Sequence, residues 1–207
     1  VRLSHTGRGR RGGAATAAVV AVAGSYLAVR TGLARSLDPA VGGVLAPRGP
    51  RSLDRSIAIL SDLGSSFAVA GLSSALVATG RGRAAVRVGA AGALAFGLAQ
   101  AVKPALPRAR PYEQGTAVRL VPPPAGGSWP SGHAAVAAGM ARALGHVGGP
   151  QVGAMAASAA AAVGASRVTV GVHHLTDVVA GLGIGVLSAE VVELALGSRG
   201  LTRPTTR

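Results

Sequence analysis

The chain has no cysteine, which excludes a disulfide framework and any thiolate-ligated metal. Aromatic residues make up only 2% of it, so its arginines do not sit among a set of aromatics of the kind that stack on nucleic-acid bases. Charge is also scarce: Asp, Glu, Lys and Arg amount to 14%, against roughly a quarter in ordinary soluble domains. Acidic groups are the rarest part of that, seven against 21 Lys plus Arg.

What fills the 207 residues is apolar, 49% by count with a mean hydropathy of +0.44. A soluble Ala-rich bundle would carry charge on the outer face of every helix. Here the runs from Val152 to Ala165 and from Val178 to Ala189 carry none. Length and composition therefore predict one all-α domain, a polytopic membrane helix bundle. The net charge of +14 does not form a nucleic-acid stripe, because the arginines punctuate the ends of apolar runs, as residues at a lipid boundary do. Nucleic acid is excluded as a partner on that pattern, and membrane lipids are expected instead.

Six spans follow from the runs: Ala14 to Ala34, Ser56 to Thr79, Ala84 to Val102, Ser128 to Val147, Val152 to about Val172, and His174 to Leu196. Basic tails at 1–13 and 198–207 flank a domain over 14–197. The first tail looks like the start of a signal peptide, but the further runs favour an uncleaved first span. The prolines at 39, 47 and 50 predict an irregular loop over Arg35 to Arg55. Asp62, near the end of its span, is expected to reach interfacial water. Small residues at four-residue spacing, such as Gly181 and Gly185, predict close helix packing. Six spans place both termini on one side. With the termini inside, the inner segments hold 11 arginines and the outer ones 10 Lys plus Arg. Once Lys103, Arg110 and Arg167 are set aside for a site, the balance favours cytoplasmic termini. The expected location is then a multi-pass protein of the plasma membrane of a bacterium.

On this topology the two polar segments, 103–133 and 166–177, face the same extracytoplasmic side. The fourth run is too short to cross unless the turn Pro130-Ser131-Gly132-His133 belongs to its helix. That turn offers free backbone N–H groups, a hydroxyl and an imidazole in one place, a natural seat for phosphate. The same segment carries Lys103 and Arg110, and the second carries Arg167, His173, His174 and Asp177. Asp177 lies four residues after His173, so the two share a helical face and the carboxylate can orient the ring. His174 shares that face too, and geometry alone does not choose between the histidines. Three cations, a hydroxyl, helix-start amides and two histidines at one face form a site for a tetrahedral anion. His5 and His146 fall in a tail and a loop, and Trp129 is expected as an interfacial anchor.

The spacing resembles a known signature. Lys103, six residues, Arg110-Pro111, then Pro130-Ser131-Gly132-His133, then Ser166-Arg167, five residues, His173, three residues and Asp177 match the three-part motif of the type-2 phosphatidic acid phosphatase superfamily. That superfamily covers integral-membrane lipid phosphate phosphatases and shares its site with soluble bacterial acid phosphatases and vanadium haloperoxidases. The resemblance implies His173 as a nucleophile oriented by Asp177, and His133 as the general acid and then base. It implies Lys103, Arg110, Ser131, Gly132 and Arg167 as phosphate ligands, with no metal and no cofactor. The implied substrate is a phosphorylated lipid of the polyprenyl pyrophosphate, phosphatidylglycerol phosphate or phosphatidate type. A lipid-linked phosphotransferase with the same phosphohistidine, or a non-catalytic lipid-phosphate carrier, are the alternatives. Choosing His173 over His174 also rests on this resemblance.

Overall fold

The computed structural model describes residues 5–197 apart from Arg48, with side chains from Gly12 onward. Residues 1–4, the side chain of His5 and the expected tail 198–207 lie outside that description. Among the described residues seven α-helices form: α1 (His5–Thr31), α2 (Ala34–Leu45), α3 (Arg51–Asp62), α4 (Ser66–Ala78), α5 (Gly82–Val102), α6 (Gly132–Thr169) and α7 (Leu175–Gly197). A 3-10 turn, Lys103–Ala105, ends α5. No strand occurs among the described residues. α1 already begins inside the segment expected as a basic tail.

Surface and interior are arranged for lipid. Phe67, Val77, Val86, Met155 and Leu194 are exposed, Phe67 at 86%, while the centre is built from alanine, glycine and valine. Without a hydrophobic drive between helices in lipid, close contact of small residues supplies the association. Gly181 and Gly185 show this directly. A Cβ at either would overlap a backbone carbonyl of α6, that of Ser131 and that of Ala135 respectively. α7 therefore lies against the first part of α6 with its backbone almost touching.

α6 is one element only by name. At Gly149 the backbone takes φ +83°, a left-handed conformation that glycine reaches without a Cβ penalty, and Pro150 follows. The chain reverses there, because a Cβ on Gly145 would lie 3.1 Å from the Cα of Gly153. The two arms run antiparallel and pack through Ala137, Ala141, Ala160 and Val163. The segments expected as the fourth and fifth spans lie in these arms, and the ends of both arms away from Gly149 come to one end of the bundle.

Among the described residues three helical stretches are long and apolar enough to cross a membrane: Gly12–Thr31, Gly82–Ala105 and Leu175–Gly197. The pair α3 and α4 counts as a fourth if taken as one broken span. Here the structure corrects the sequence reading. The continuous second span expected from Ser56 to Thr79 is bent by 66° between Asp62 and Ser66. Ser65 starts α4 as its N-cap, accepting from the Ala68 N–H at 3.2 Å. The irregular loop expected over Arg35 to Arg55 is also corrected, since α2 and the start of α3 occupy most of it. Pro39 sits inside α2. Tertiary contacts of α2 outweigh the hydrogen bond that Pro39 cannot make.

Candidate active site

The end of the bundle that gathers the ends of the α6 arms away from Gly149 also holds the end of α5, the start of α7 and the whole of segment 106–131. Ser131 caps α6, its Oγ accepting from the Ala134 N–H at 3.4 Å and its own N–H donating to the Asp177 carbonyl at 3.0 Å. The first turns of α6 and α7 are thereby tied together. Every residue expected in the site is at this end: Lys103, Arg110, Ser131, Gly132, His133, Arg167, His173 and Asp177.

Lys103 and Arg110 organise the loop as much as they present charge. Lys103 Nζ donates to the carbonyls of Gly127 at 2.7 Å and Pro130 at 3.2 Å. Arg110, 1% exposed, donates through Nη1 to the Val172 carbonyl at 2.8 Å and through Nη2 to the carbonyls of Ala125, Gly126 and Gly127 at 3.1 to 3.3 Å. Arg167 donates to Ser61 Oγ at 2.5 Å. The Nε atoms of Arg110 and Arg167 are buried with no hydrogen-bond partner. Buried donors of this kind are costly unless something accepts from them. They suit an anion.

His173 is 3% exposed, with Nε2 3.4 Å from Arg110 Nη1 and Nδ1 3.7 Å from Asp177 Oδ2. The second distance is too long for a hydrogen bond. Asp177 Oδ2 instead accepts from the His174 N–H at 2.8 Å and from Ser128 Oγ, while Oδ1 accepts from Arg108 Nη1 at 2.6 Å. Burial pushes the His173 imidazole down to about 4, Asp177 opposes this, and Arg167 and Arg110 add to it. The ring is therefore neutral near pH 7, with a lone pair to offer. His174 does not compete for the carboxylate through its ring. Its Nε2 lies 3.3 Å from the Ala109 carbonyl, and burial likewise lowers its pKa. His133, in the first turn of α6, lies within electrostatic reach of Arg167, His173, Arg110 and Lys103.

A cavity of about 750 Å³ opens beside this cluster. α2 and the 111–118 loop form its walls, and His173, His174, Asp38 and Arg108 line it. Gly171, φ +76°, lets the loop close on α6, since a Cβ there would overlap the Val118 carbonyl.

Several residues at this end escaped the sequence reading. Arg108 joins Asp177 to Asp38. Ser61 holds Arg167, and Gly64 lies so close under α6 that a Cβ would overlap the His133 carbonyl. Asp62, expected to reach interfacial water, also contributes its field to Arg167. Trp129 is corrected outright. It is 3% exposed, donates through Nε1 to Ser25 Oγ at 2.9 Å and meets Tyr26 edge-on at 5.8 Å, so it ties α1 to the loop instead of sitting in the interface. His146 is not a plain loop residue either. At the far end of the bundle its Nε2 lies 3.3 Å from Glu190, which also pairs with Arg142 at 2.5 Å.

The chain belongs to the PAP2 superfamily, whose model matches residues 84–197. Two solved structures share the fold. The crystal structure of Aquifex aeolicus LpxE superposes with a TM-score of 0.67 at 24% identity, covering 75% of this chain and 94% of that one. The first transmembrane PAP2 type phosphatidylglycerolphosphate phosphatase from Bacillus subtilis gives 0.68 at 23% identity, covering 93% and 98%. No curated protein sequence matches.

Proposed function

We propose that this chain is an integral-membrane lipid phosphatase that hydrolyses a phosphate monoester or pyrophosphate of a lipid through a phosphohistidine, without a metal ion. The observation that carries the reading is His173: a buried, neutral imidazole with one nitrogen toward Asp177 and the other toward Arg110, beside buried guanidinium Nε–H groups without partners. Family membership and the likeness to the Bacillus subtilis phosphatidylglycerolphosphate phosphatase support the lipid substrate.

The chemistry balances with this chain's own groups. His173 Nε2 attacks phosphorus, and the N–P bond forms as the bond from phosphorus to the leaving oxygen breaks. His133, whose pKa is pushed down by burial and by Arg167, Arg110 and Lys103, takes up a proton as the anionic phosphate offsets those cations, and gives it to that oxygen. Neutral His133 then takes a proton from water, whose oxygen attacks phosphorus as the N–P bond breaks, and phosphate leaves. Lys103, Arg110, Arg167, Ser131 Oγ and the Gly132 N–H hold the non-bridging oxygens as charge shifts between them. On this reading the arms of α6 and the bent α3–α4 pair complete six crossings, the termini are cytoplasmic and the site is extracytoplasmic.

Protein purified in detergent should release phosphate from polyprenyl pyrophosphate, phosphatidylglycerol phosphate or phosphatidate with a chelator present. His173→Ala should lose activity by about a thousandfold or more. Normal turnover by that variant would overturn the assignment. Phosphate appearing on an added alcohol in place of water would make the protein a phosphotransferase.

A further inference from the structure

Asp38 is a buried carboxylate, 4% exposed, in a helix that precedes the residues matched by the family model. Its Oδ1 accepts from the Thr176 N–H at 3.0 Å, so it serves the unsatisfied first turn of α7 from another helix. Its Oδ2 accepts from Thr176 Oγ1 at 2.9 Å and from Arg108 Nη2 at 2.5 Å. The other arm of the same guanidinium donates to Asp177 Oδ1 at 2.6 Å and to Thr176 Oγ1 at 2.8 Å. One forked cation therefore spans two carboxylates, and Thr176 is held by both of its neighbours. With Ser128 and the His174 N–H on Oδ2, neither oxygen of Asp177 is free to swing.

The charges explain why two carboxylates are present. A lone Arg108 against Asp177 would cancel the negative charge that a histidine nucleophile needs behind it. Asp38 takes up part of Arg108, and the trio Asp38, Arg108 and Asp177 keeps a net charge of −1 next to His173. Such a trio is a poor device for stability, because removing carboxylates and guanidinium from water offsets much of their attraction. It is a good device for fixing one geometry.

On the phosphatase reading above, we infer that Asp38 and Arg108 are positioning residues for phosphoryl transfer, a buried carboxylate–guanidinium pair that sets the place and net charge of Asp177 behind His173. Asp38 acts only through Arg108 and Thr176. Outer-sphere partners of reactive groups in metal sites carry effects of about 10- to 100-fold, and the same scale is expected here.

The test is steady-state kinetics on the full chain in detergent, with a phosphorylated lipid that the wild type hydrolyses. Asp38→Asn should lower kcat about 10- to 100-fold with KM within about twofold. Asp38→Glu should recover most of the loss. Asp38→Asn combined with Arg108→Gln should be no slower than Arg108→Gln alone, since the two act as one unit. The inference is overturned if Asp38→Asn keeps the wild-type kcat, raises KM alone, or multiplies its loss with that of Arg108→Gln. Should Asp38→Asn fail to fold, Arg108→Lys keeps the charge and removes the fork. A fall in its kcat at constant KM supports the pair, and an unchanged kcat overturns it. A wild type that hydrolyses lipid phosphate beside unaffected variants sinks this inference alone. A wild type inert on every lipid sinks the phosphatase reading, and the inference with it.

Discussion

Between Lys103 and Asp177 the chain is crowded with reactive groups, Lys103, Arg108, Arg110, Arg167, His133, His173 and His174 among them. The four helices before Gly82 and the turn at 63–65 bring Ser25, Asp38, Ser61, Asp62 and Gly64 to the same end of the bundle, with Tyr26 against Trp129 and Arg35 in the cavity wall. The first group has the chemistry and little freedom of its own. Arg110 is spent largely on carbonyls, and Asp177 is gripped by three donors. The second group has almost no chemistry and supplies position. Ser25 Oγ donates to the Thr176 carbonyl at 2.6 Å, Asp38 holds Arg108 and Thr176, and Ser61 holds Arg167. A site of this kind is reactive in one half of the sequence and shaped by the other.

The sharpest way to break that division is at glycine. Gly64→Val places a side chain against the His133 carbonyl, backbone that cannot give way cheaply. Displacing His133 by about 1 Å should cost on the order of 100-fold in kcat/KM. A Cβ on Gly132, inside the motif, meets no atom within 4 Å. Gly132→Ala should therefore melt like the wild type, whereas Gly64→Val should melt lower, and equal melting temperatures for the pair would contradict the close approach.

Next in size is a pH effect on stability. The folded His173 holds its proton only below about 4, against an ordinary value of 6.5. Below 6.5 the unfolded chain takes up a proton that the folded one refuses, so stability declines as pH falls from 6.5 towards 4. The loss is on the order of 3 kcal/mol. Thermal melts over that window should show a shallower slope for His173→Gln than for the wild type. Identical slopes would mean that burial of this ring is not what the acid limb reports.

The smallest expected change comes from Ser61→Ala, which strips a buried guanidinium of one partner. A loss of about 1 to 2 kcal/mol, roughly tenfold in kcat/KM with little change in folding, is expected at Arg167. No change in kinetics would remove Ser61 from the positioning half.

These two halves were not equally legible. Lys103, Arg110, the Pro130 to His133 turn, Arg167, His173 and Asp177 stand out because several polar groups at fixed spacing have no reason to occur in apolar helices. The structure brings all of them to one end. Asp38 and Ser61 give no such signal, because a lone polar residue reads the same whether it meets solvent or a partner far along the chain. The proline argument failed at α2, where side-chain contacts to α7 and Arg108 sustain a helix across Pro39. The bend before α4 was partly readable, since Gly64-Ser65 is a helix stop followed by an N-cap, but the apolar run around it hid the break.

The reversal at Gly149 turns the gap between His133 and Arg167 into a round trip along one arm and back along the other. Because each residue of a helix turns its side chain by about 100°, the length of either arm sets the direction in which its terminal group points. A single residue inserted into one arm would swing the imidazole or the guanidinium away from the other, though neither motif had changed. The stretch of plain alanines and glycines between the two motifs thus acts as a gauge, and its residue count is under the same constraint as the motifs themselves.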